Sequence, residues 1–261
     1  MTLINAVPQR QGAVGPRSAE LPDGCLALAE LAGHVLGRPV HHVRQTRSVS
    51  EVDRGIASRA ELTGPNRAAQ LAALEAPGGP VLTIGGDCGV ELVPIGVARF
   101  RHGPDLGVAW FDAHPDLNTA STSPSGAFHG MVLRSLFGEG DADFAAAPAL
   151  APGNVALLGT RVFDPEERAA VSRGLAVTSV DALAVEKLYV HLDLDVLDPA
   201  EFPGLNYPEP DGWTIARLVA ELDALSGYEV VGAGITECVG TAREVEVLEP
   251  VLAAIGRLLG H

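Results

Sequence analysis

Cysteine is scarce in this chain: Cys25, Cys88 and Cys238 are the only three in 261 residues. An odd, widely spaced set suggests no disulfide framework, so a reducing cytosol, and with it a cytoplasmic location, is the expectation. No uninterrupted apolar run approaches the ~18 residues of a membrane span. Met1 to Val7 is too short and lacks the basic start of a signal peptide, so none is expected. Basic residues are also few, 18 Lys and Arg against 33 Asp and Glu, for a formal net charge of -15. That balance disfavours nucleic acid and anionic membrane as partners and is compatible with a cationic substrate. No linker, repeat or low-complexity stretch divides the chain, so one domain over residues 1–261 is expected.

What is present is alternation of short apolar runs with helical periodicity. Strands are predicted at Leu3 to Val7, Pro39 to Val43, Pro80 to Ile84, 106–111, Val155 to Leu158, Leu175 to Ser179, Leu188 to Val196 and Tyr228 to Ile235. Helices are predicted at Cys25 to Leu36, Pro65 to Glu75, Gly89 to Phe100, from about Gly130, and at Pro165 to Ser172, Ile215 to Leu225 and Glu244 to Leu259. Thr46 to Ser58 fits neither pattern. Repeated β-α alternation implies an α/β protein with a mostly parallel sheet and helices on both faces. In such sheets ligands bind beyond the carboxyl ends of the strands.

Two acidic stretches sit at such ends. Asp112, His114 and Asp116 follow the apolar run Leu106 to Phe111 at i, i+2 and i+4. In an extended chain alternate residues point to one side, so the three can converge. Two carboxylates and an imidazole on one point form a metal-ligand set; alone, the stretch also reads as a strand end with solvated aspartates. The second stretch runs Leu188 to Val196, with His191, Asp193 and Asp195 opposite an all-apolar face. Carboxylates crowded on a buried face repel each other, and cations between them remove that cost.

Asp112-Ala-His-Pro-Asp116 and His191-Leu-Asp193-Leu-Asp195-Val-Leu-Asp198-Pro199 resemble the two main metal-binding signatures of the arginase/agmatinase (ureohydrolase) family. Gly85-Gly86-Asp87-Cys88 resembles that family's earlier Gly-Gly-Asp-His signature, and the motifs come in the family's order. The resemblance implies a three-layer α/β/α fold and two manganese ions held by Asp112, His114, Asp116, Asp193 and Asp195, with Asp112 and Asp193 bridging. It also implies a homo-oligomer, a trimer or hexamer. Cys88 departs from the family's histidine at that position. It reads as a thiolate ligand favouring a softer metal, as a neutral thiol, or as a plain buried cysteine; ligation is the reading adopted, because the flanking motif is intact. His191 stands where the family usually has a small residue, and is read as a hydrogen-bonded neighbour of the ligands rather than a ligand.

The substrate end follows from the same resemblance. Asn118, Ser123 and Ser125 lie in a polar loop that by composition alone is only turn-rich. In the arginase branch an Asn and a Ser-Gly-x-x-His-Gly run at these distances hold the substrate's α-carboxylate, and His129 matches the histidine that moves protons. Ala127 replaces a usual Asn there. Asp164 and Glu167 match an Asp-Pro-x-Glu run that receives the α-ammonium, although Asp164 before Pro165 also reads as a helix N-cap. Glu237 matches the residue that pairs with the guanidinium. Tyr207 lies in Gly204-Leu-Asn-Tyr207-Pro208, where the family has Gly-Thr-Pro, so one wall of the site is reshaped.

The implied activity is metal-dependent hydrolysis of the guanidino C–N bond of an arginine-like amino acid, with Asp116, His129 and Glu237 as catalytic groups. The product is urea from arginine or hydroxyurea from Nω-hydroxyarginine. Other ureohydrolase substrates (agmatine, guanidinobutyrate, formiminoglutamate) rank lower because they do not use the Asp164 and Glu167 match. A non-catalytic metal-binding protein and a zinc amidase of the same fold are the alternatives.

Overall fold

The structure is a computed structural model and describes residues 2–75 and 79–261. Seven strands, β1 (Leu3–Val7), β2 (Val40–His42), β3 (Val81–Gly85), β4 (Leu106–Phe111), β5 (Val155–Leu158), β6 (Lys187–Asp193) and β7 (Glu229–Thr236), form one sheet. The order is β2-β1-β3-β7-β6-β4-β5 and every pairing is parallel. The sheet expected to be mostly parallel is wholly so.

The strand sequences explain the layering, because a parallel strand covered on both sides is apolar on both. In β4, Ala109 and Phe111 pack into one core while Leu106, Val108 and Trp110 pack into the other. The first core is closed by the helices Leu21–Leu36, Ile215–Asp223 and Glu249–Leu258, and the second by Leu92–His102, Val132–Leu136 and Pro165–Ser172. The result is helix, sheet, helix. Among the described residues no helix is long and apolar enough to cross a membrane.

Several boundaries differ from expectation. The first long helix begins at Leu21, four residues early, with Pro22 in its first turn where a missing N–H costs nothing. Leu175 to Ser179 is not a strand; it touches β5 through a single bridge, Ala156 to Val177. The helices predicted from Gly89, Gly130 and Glu244 each open with a 3-10 turn, and the one predicted from Pro65 follows a π turn at Leu62–Asn66. The acidic strand stops at Asp193. There the Asp193 carboxylate accepts from the Asp195 backbone N–H (2.7 Å) and bends the chain into the 3-10 turn Leu194–Val196.

One close approach locks the ends of β1, β3 and β7 together. Gly86 N–H donates to Val7 O (3.0 Å), Gly86 O accepts from Glu237 N–H (2.7 Å), and Asp87 N–H donates to Gln9 O (3.1 Å). A Cβ on Gly86 would lie 1.7 Å from the Gln9 carbonyl oxygen. Gly86→Ala therefore forces backbone apart. The expected cost is about 1–3 kcal/mol, or a melting temperature lower by roughly 2–12 °C at about 2–4 °C per kcal/mol. A thermal melt that matches the parent would contradict this contact.

Candidate metal centre

β3, β7, β6 and β4 lie side by side at the middle of the sheet, and each delivers acid, thiol or imidazole groups at its carboxyl end. Cys88 follows β3, Glu237 follows β7, Asp193 ends β6 and Asp112 follows β4. Beyond the strands the backbone is kinked rather than extended. Asp116 (φ 51°) and Glu237 (φ 64°) both adopt the left-handed conformation, uncommon for residues other than glycine. The expectation that Asp112 to Asp116 converge because alternate residues of a strand share a side is therefore corrected. They converge because the chain turns back.

Three groups of side chains each offer donor atoms within 4.8 Å of one another. In the first, His114 Nδ1 lies 2.8 Å from Asp195 Oδ2 and 3.6 Å from Asp112 Oδ1. In the second, Cys88 Sγ stands 3.0 Å from Asp193 Oδ2, with Glu237 beside them. The third joins Cys88, Asp112, Asp116 and His191. Cys88, Asp112, Asp116, Asp193, Asp195, His191 and Glu237 are all buried. Asp116 Oδ2 has no hydrogen-bond partner, and a buried carboxylate oxygen left bare is costly.

The electrostatics follow from this crowding. Burial, with the charges of Asp112 and Asp195 added, pushes the Asp116 and Asp193 carboxyls well above the ordinary carboxylate range. Asp195 is raised to about 6 by burial and by Asp112. Burial also acts on Asp112, yet hydrogen bonds and charge from His114 and His191 hold it below its ordinary value. Burial opposes the charged form of His114, but the Asp195 and Asp112 carboxylates prevail and raise it. Burial and the surrounding carboxylates drive the Cys88 thiol far up. A divalent cation among these groups reverses that logic and favours carboxylate and thiolate alike. The donor set therefore fits bound metal.

A cavity of about 270 Å³ opens over the centre. His114, Asp116, Asp193 and Asp195 form its floor, and Asn118, Ser123, Ser125, Asp164 and Glu167 line it too. His129 and Tyr207 flank it with ring centroids 5.2 Å apart. The lining contains no Lys or Arg. Asn118 Nδ2 donates to Asp164 Oδ2 (2.8 Å) and its Oδ1 accepts from Thr122 (2.9 Å). Glu167 accepts from Leu117 N–H (3.0 Å) and Asp164 N–H (2.9 Å), tying the loop after β4 to the helix Pro165–Ser172. Ser123 and Ser125 hydroxyls accept from Gly126 and Ala127 N–H groups.

Glu237 stands apart from the cavity wall. Its Oε1 accepts from Cys88 N–H (3.0 Å) and lies 3.1 Å from His129 Nδ1, while Oε2 accepts from Asn206 Nδ2 (2.8 Å). Burial would lower the His129 pKa, but the Glu237 carboxylate beside it raises it.

Several contributors carry no local sequence signal. Asn206 is one. Asp87 lies in the Gly85-Gly86-Asp87-Cys88 motif, which does not spell out its part: its carboxylate gathers Gln9, Gly12 N–H and Gly89 N–H around the turn after β3, and burial raises it to about 6. Arg161 donates to the carbonyls of Gly159, Asp195, Val196, Glu209 and Pro210, pinning the Tyr207 loop to the end of β6. Glu209 Oε1 lies 3.6 Å from His114 Nε2.

The sequence profile of the arginase family matches residues 33–244. An N(omega)-hydroxy-L-arginine amidinohydrolase of Streptomyces lavendulae is 30% identical over 246 residues, covering 87% of this chain and 86% of that protein. An arginase of Bacillus subtilis is 36% identical over 153 residues, 50% of this chain and 51% of that one, so this match spans only about half of each. Among solved structures, Entamoeba histolytica arginase in complex with L-ornithine superposes with a TM-score of 0.83 at 22% identity, covering 100% of this chain and 98% of the other. Proclavaminate amidino hydrolase of Streptomyces clavuligerus superposes with a TM-score of 0.74 at 19% identity, covering 99% and 90%. At these identities the two structures establish the fold alone.

Proposed function

The chain belongs to the arginase family, and on that premise we propose that it is a metal-dependent hydrolase cleaving the guanidino C–N bond of an arginine-like amino acid. The observation that carries the reading is the cavity. Its floor is a set of buried carboxylates with the half-buried imidazole of His114, the cluster of Asn118, Asp164 and Glu167 lines it as well, and no Lys or Arg competes with the substrate. Asp164 and Glu167 suit an α-ammonium, and Asn118, Ser123 and Ser125 suit an α-carboxylate. The reading includes two manganese ions per subunit, a single catalytic domain, a homo-oligomer and a cytoplasmic setting. Elemental analysis and light scattering test the first and third.

Asp112, His114, Asp116, Asp193 and Asp195, with Cys88, would hold the metal. Bound divalent cations supply Lewis acidity and a strong oxygen nucleophile at neutral pH. The remaining work falls to the chain. Water oxygen adds to the guanidinium carbon and becomes the carbonyl oxygen of the released urea, losing both protons, while the bond to the side-chain nitrogen breaks and that nitrogen gains two protons to leave as the ammonium; it needs the first proton as the bond breaks. His129 is suited to give it. Its Nδ1 is engaged by Glu237, which leaves Nε2 for the cavity, and Glu237 favours the protonated ring. Glu237 thus acts on the substrate through His129, with Asn206 holding its other oxygen.

Nω-hydroxyarginine is the second substrate reading. Tyr207 beside His129 narrows the wall near the reacting end, and the Streptomyces lavendulae relative is named for that compound. The test is side-by-side measurement of urea and hydroxyurea release from arginine, Nω-hydroxyarginine and agmatine, with metal counted in the same sample. Turnover of either amino acid well above agmatine is expected. Turnover of neither, in protein carrying two metals, would end the proposal.

A further inference from the structure

We propose that His191 is itself a metal ligand, its Nε2 joining Cys88 Sγ and the carboxylates of Asp112 and Asp116 on one divalent cation, with Glu91 orienting the ring from behind. The inference rests on the metal part of the proposed function and revises it at one position, keeping two divalent cations but only one of them manganese.

His191 lies mid-sheet on β6, fully buried, with its ring stacked on Trp110 (centroids 3.6 Å apart). Nε2 is 3.7 Å from Cys88 Sγ and 3.9 Å from Asp112 Oδ2. The first is at the long end for a hydrogen bond to sulfur, and the second is too long for one between nitrogen and oxygen. They match two donors flanking a shared cation, since ligands about 2.0–2.3 Å from a metal stand roughly 3–4 Å from each other. On the other side of the ring, Nδ1 has no hydrogen-bond partner and lies 3.7 Å from Glu91 Oε2. Glu91 is fully buried, and neither of its carboxylate oxygens has a partner. A Cβ on Gly234 would fall 2.0 Å from Glu91 Oε1, so only glycine in β7 leaves room for that carboxylate. A buried carboxylate behind an imidazole whose far nitrogen faces anionic donors is the carboxylate–histidine–metal arrangement.

The donor types give the cation's class. Thiolate, imidazole and two carboxylates suit a borderline ion such as Zn²⁺, Co²⁺ or Fe²⁺ better than Mn²⁺, whereas His114 with Asp112 and Asp195 suits Mn²⁺. Cys88 and His191 together thus make the two metal positions chemically unequal.

The test titrates Co²⁺ into the chelator-stripped full chain and into His191→Gln and Glu91→Gln, reading stoichiometry, dissociation constants and the thiolate-to-cobalt absorption band. His191→Gln should weaken one equivalent at least about 100-fold and diminish that band, leaving the other equivalent intact. Glu91→Gln should weaken the same equivalent by about 10–100-fold. Titrations and spectra identical to the parent in both variants overturn the assignment, whether the parent takes one equivalent or two. If His191→Gln does not melt cooperatively, Glu91→Gln decides alone by the same criterion. No guanidino substrate enters the experiment. A protein inactive on both arginines keeps the assignment if the pattern appears, and an active one loses it if the pattern is absent.

Discussion

Stripping divalent metal with a chelator is expected to abolish turnover and to lower the melting temperature by about 8–16 °C for each cation removed. A site held at a thousand times its dissociation constant contributes about 4.1 kcal/mol, and each kcal/mol moves the melting point of a chain this size by roughly 2–4 °C. The pH dependence should change sign as well. In the stripped protein, Asp87 and Asp195 hold their protons up to about 6, against 3.8 unfolded. Below pH 4 both states are protonated. Between 4 and 6 the unfolded chain releases protons that the folded chain keeps, so stability falls as pH rises, by about 3 kcal/mol per group. Asp112 runs the other way, but its loss comes only in acid, below that window. In the loaded protein metal competes with protons, so stability falls as pH drops below about 6. Melting points from pH 4 to 8, with and without chelator, should therefore trace two curves that cross. A stripped protein more stable at pH 8 than at pH 5 would contradict the buried-carboxylate account.

Glu237→Ala is expected to cost several kcal/mol of stability and nearly all activity. Truncation orphans the Cys88 N–H, His129 Nδ1 and Asn206 Nδ2 at once, and each buried donor left unpaired costs about 1–3 kcal/mol. Glu237→Gln separates structure from charge. The amide oxygen still faces Cys88 and His129, and Asn206, whose Oδ1 has no partner, accepts from the new amide by flipping. That variant should melt within a few degrees of the parent. Its kcat/KM should fall about 10–100-fold, the worth of one charge-assisted interaction of about 1.5–3 kcal/mol. With the carboxylate gone, His129 loses what raises its pKa, so the limb of the pH profile that it governs should move to lower pH. A Gln variant with full activity and an unshifted profile would remove Glu237 from the chemistry.

Much of the fold was legible because each strand is a short apolar run with its own boundary. Leu3–Val7 and Leu106–Phe111 were found to the residue. The region 175–179 misled because its apolar alternation is real but meets only one bridge on β5. At the site, the structure brings the expected aspartates and histidines together, by a geometry other than the one strand periodicity gives. Asp195 reaches His114 through a 3-10 turn and Asp116 through a left-handed residue, neither of which strand periodicity encodes. Asn206, Glu91 and Arg161 were invisible for a different reason. Each acts on a partner at least 31 residues away or, for Glu91, 100 residues away in β6, and a lone Asn, Glu or Arg in a plain stretch says nothing of what it will meet.

The strand order carries a consequence for how the molecule is made. β7, last of the seven in the chain, is inserted between β3 and β6, at the middle of the sheet. During synthesis the earlier strands can form two separate ribbons, β2-β1-β3 and β6-β4-β5, each with a bare inner edge. Such edges are templates for wrong pairing between nascent chains. The ligands at the ends of β6 and β4 can meet within one ribbon, but Cys88 after β3 joins them only when β7 docks. Completion of the site is therefore a late event in folding, and a ribosome stalled before Glu229 would hold every histidine and aspartate of the centre with the Cys88 side still apart.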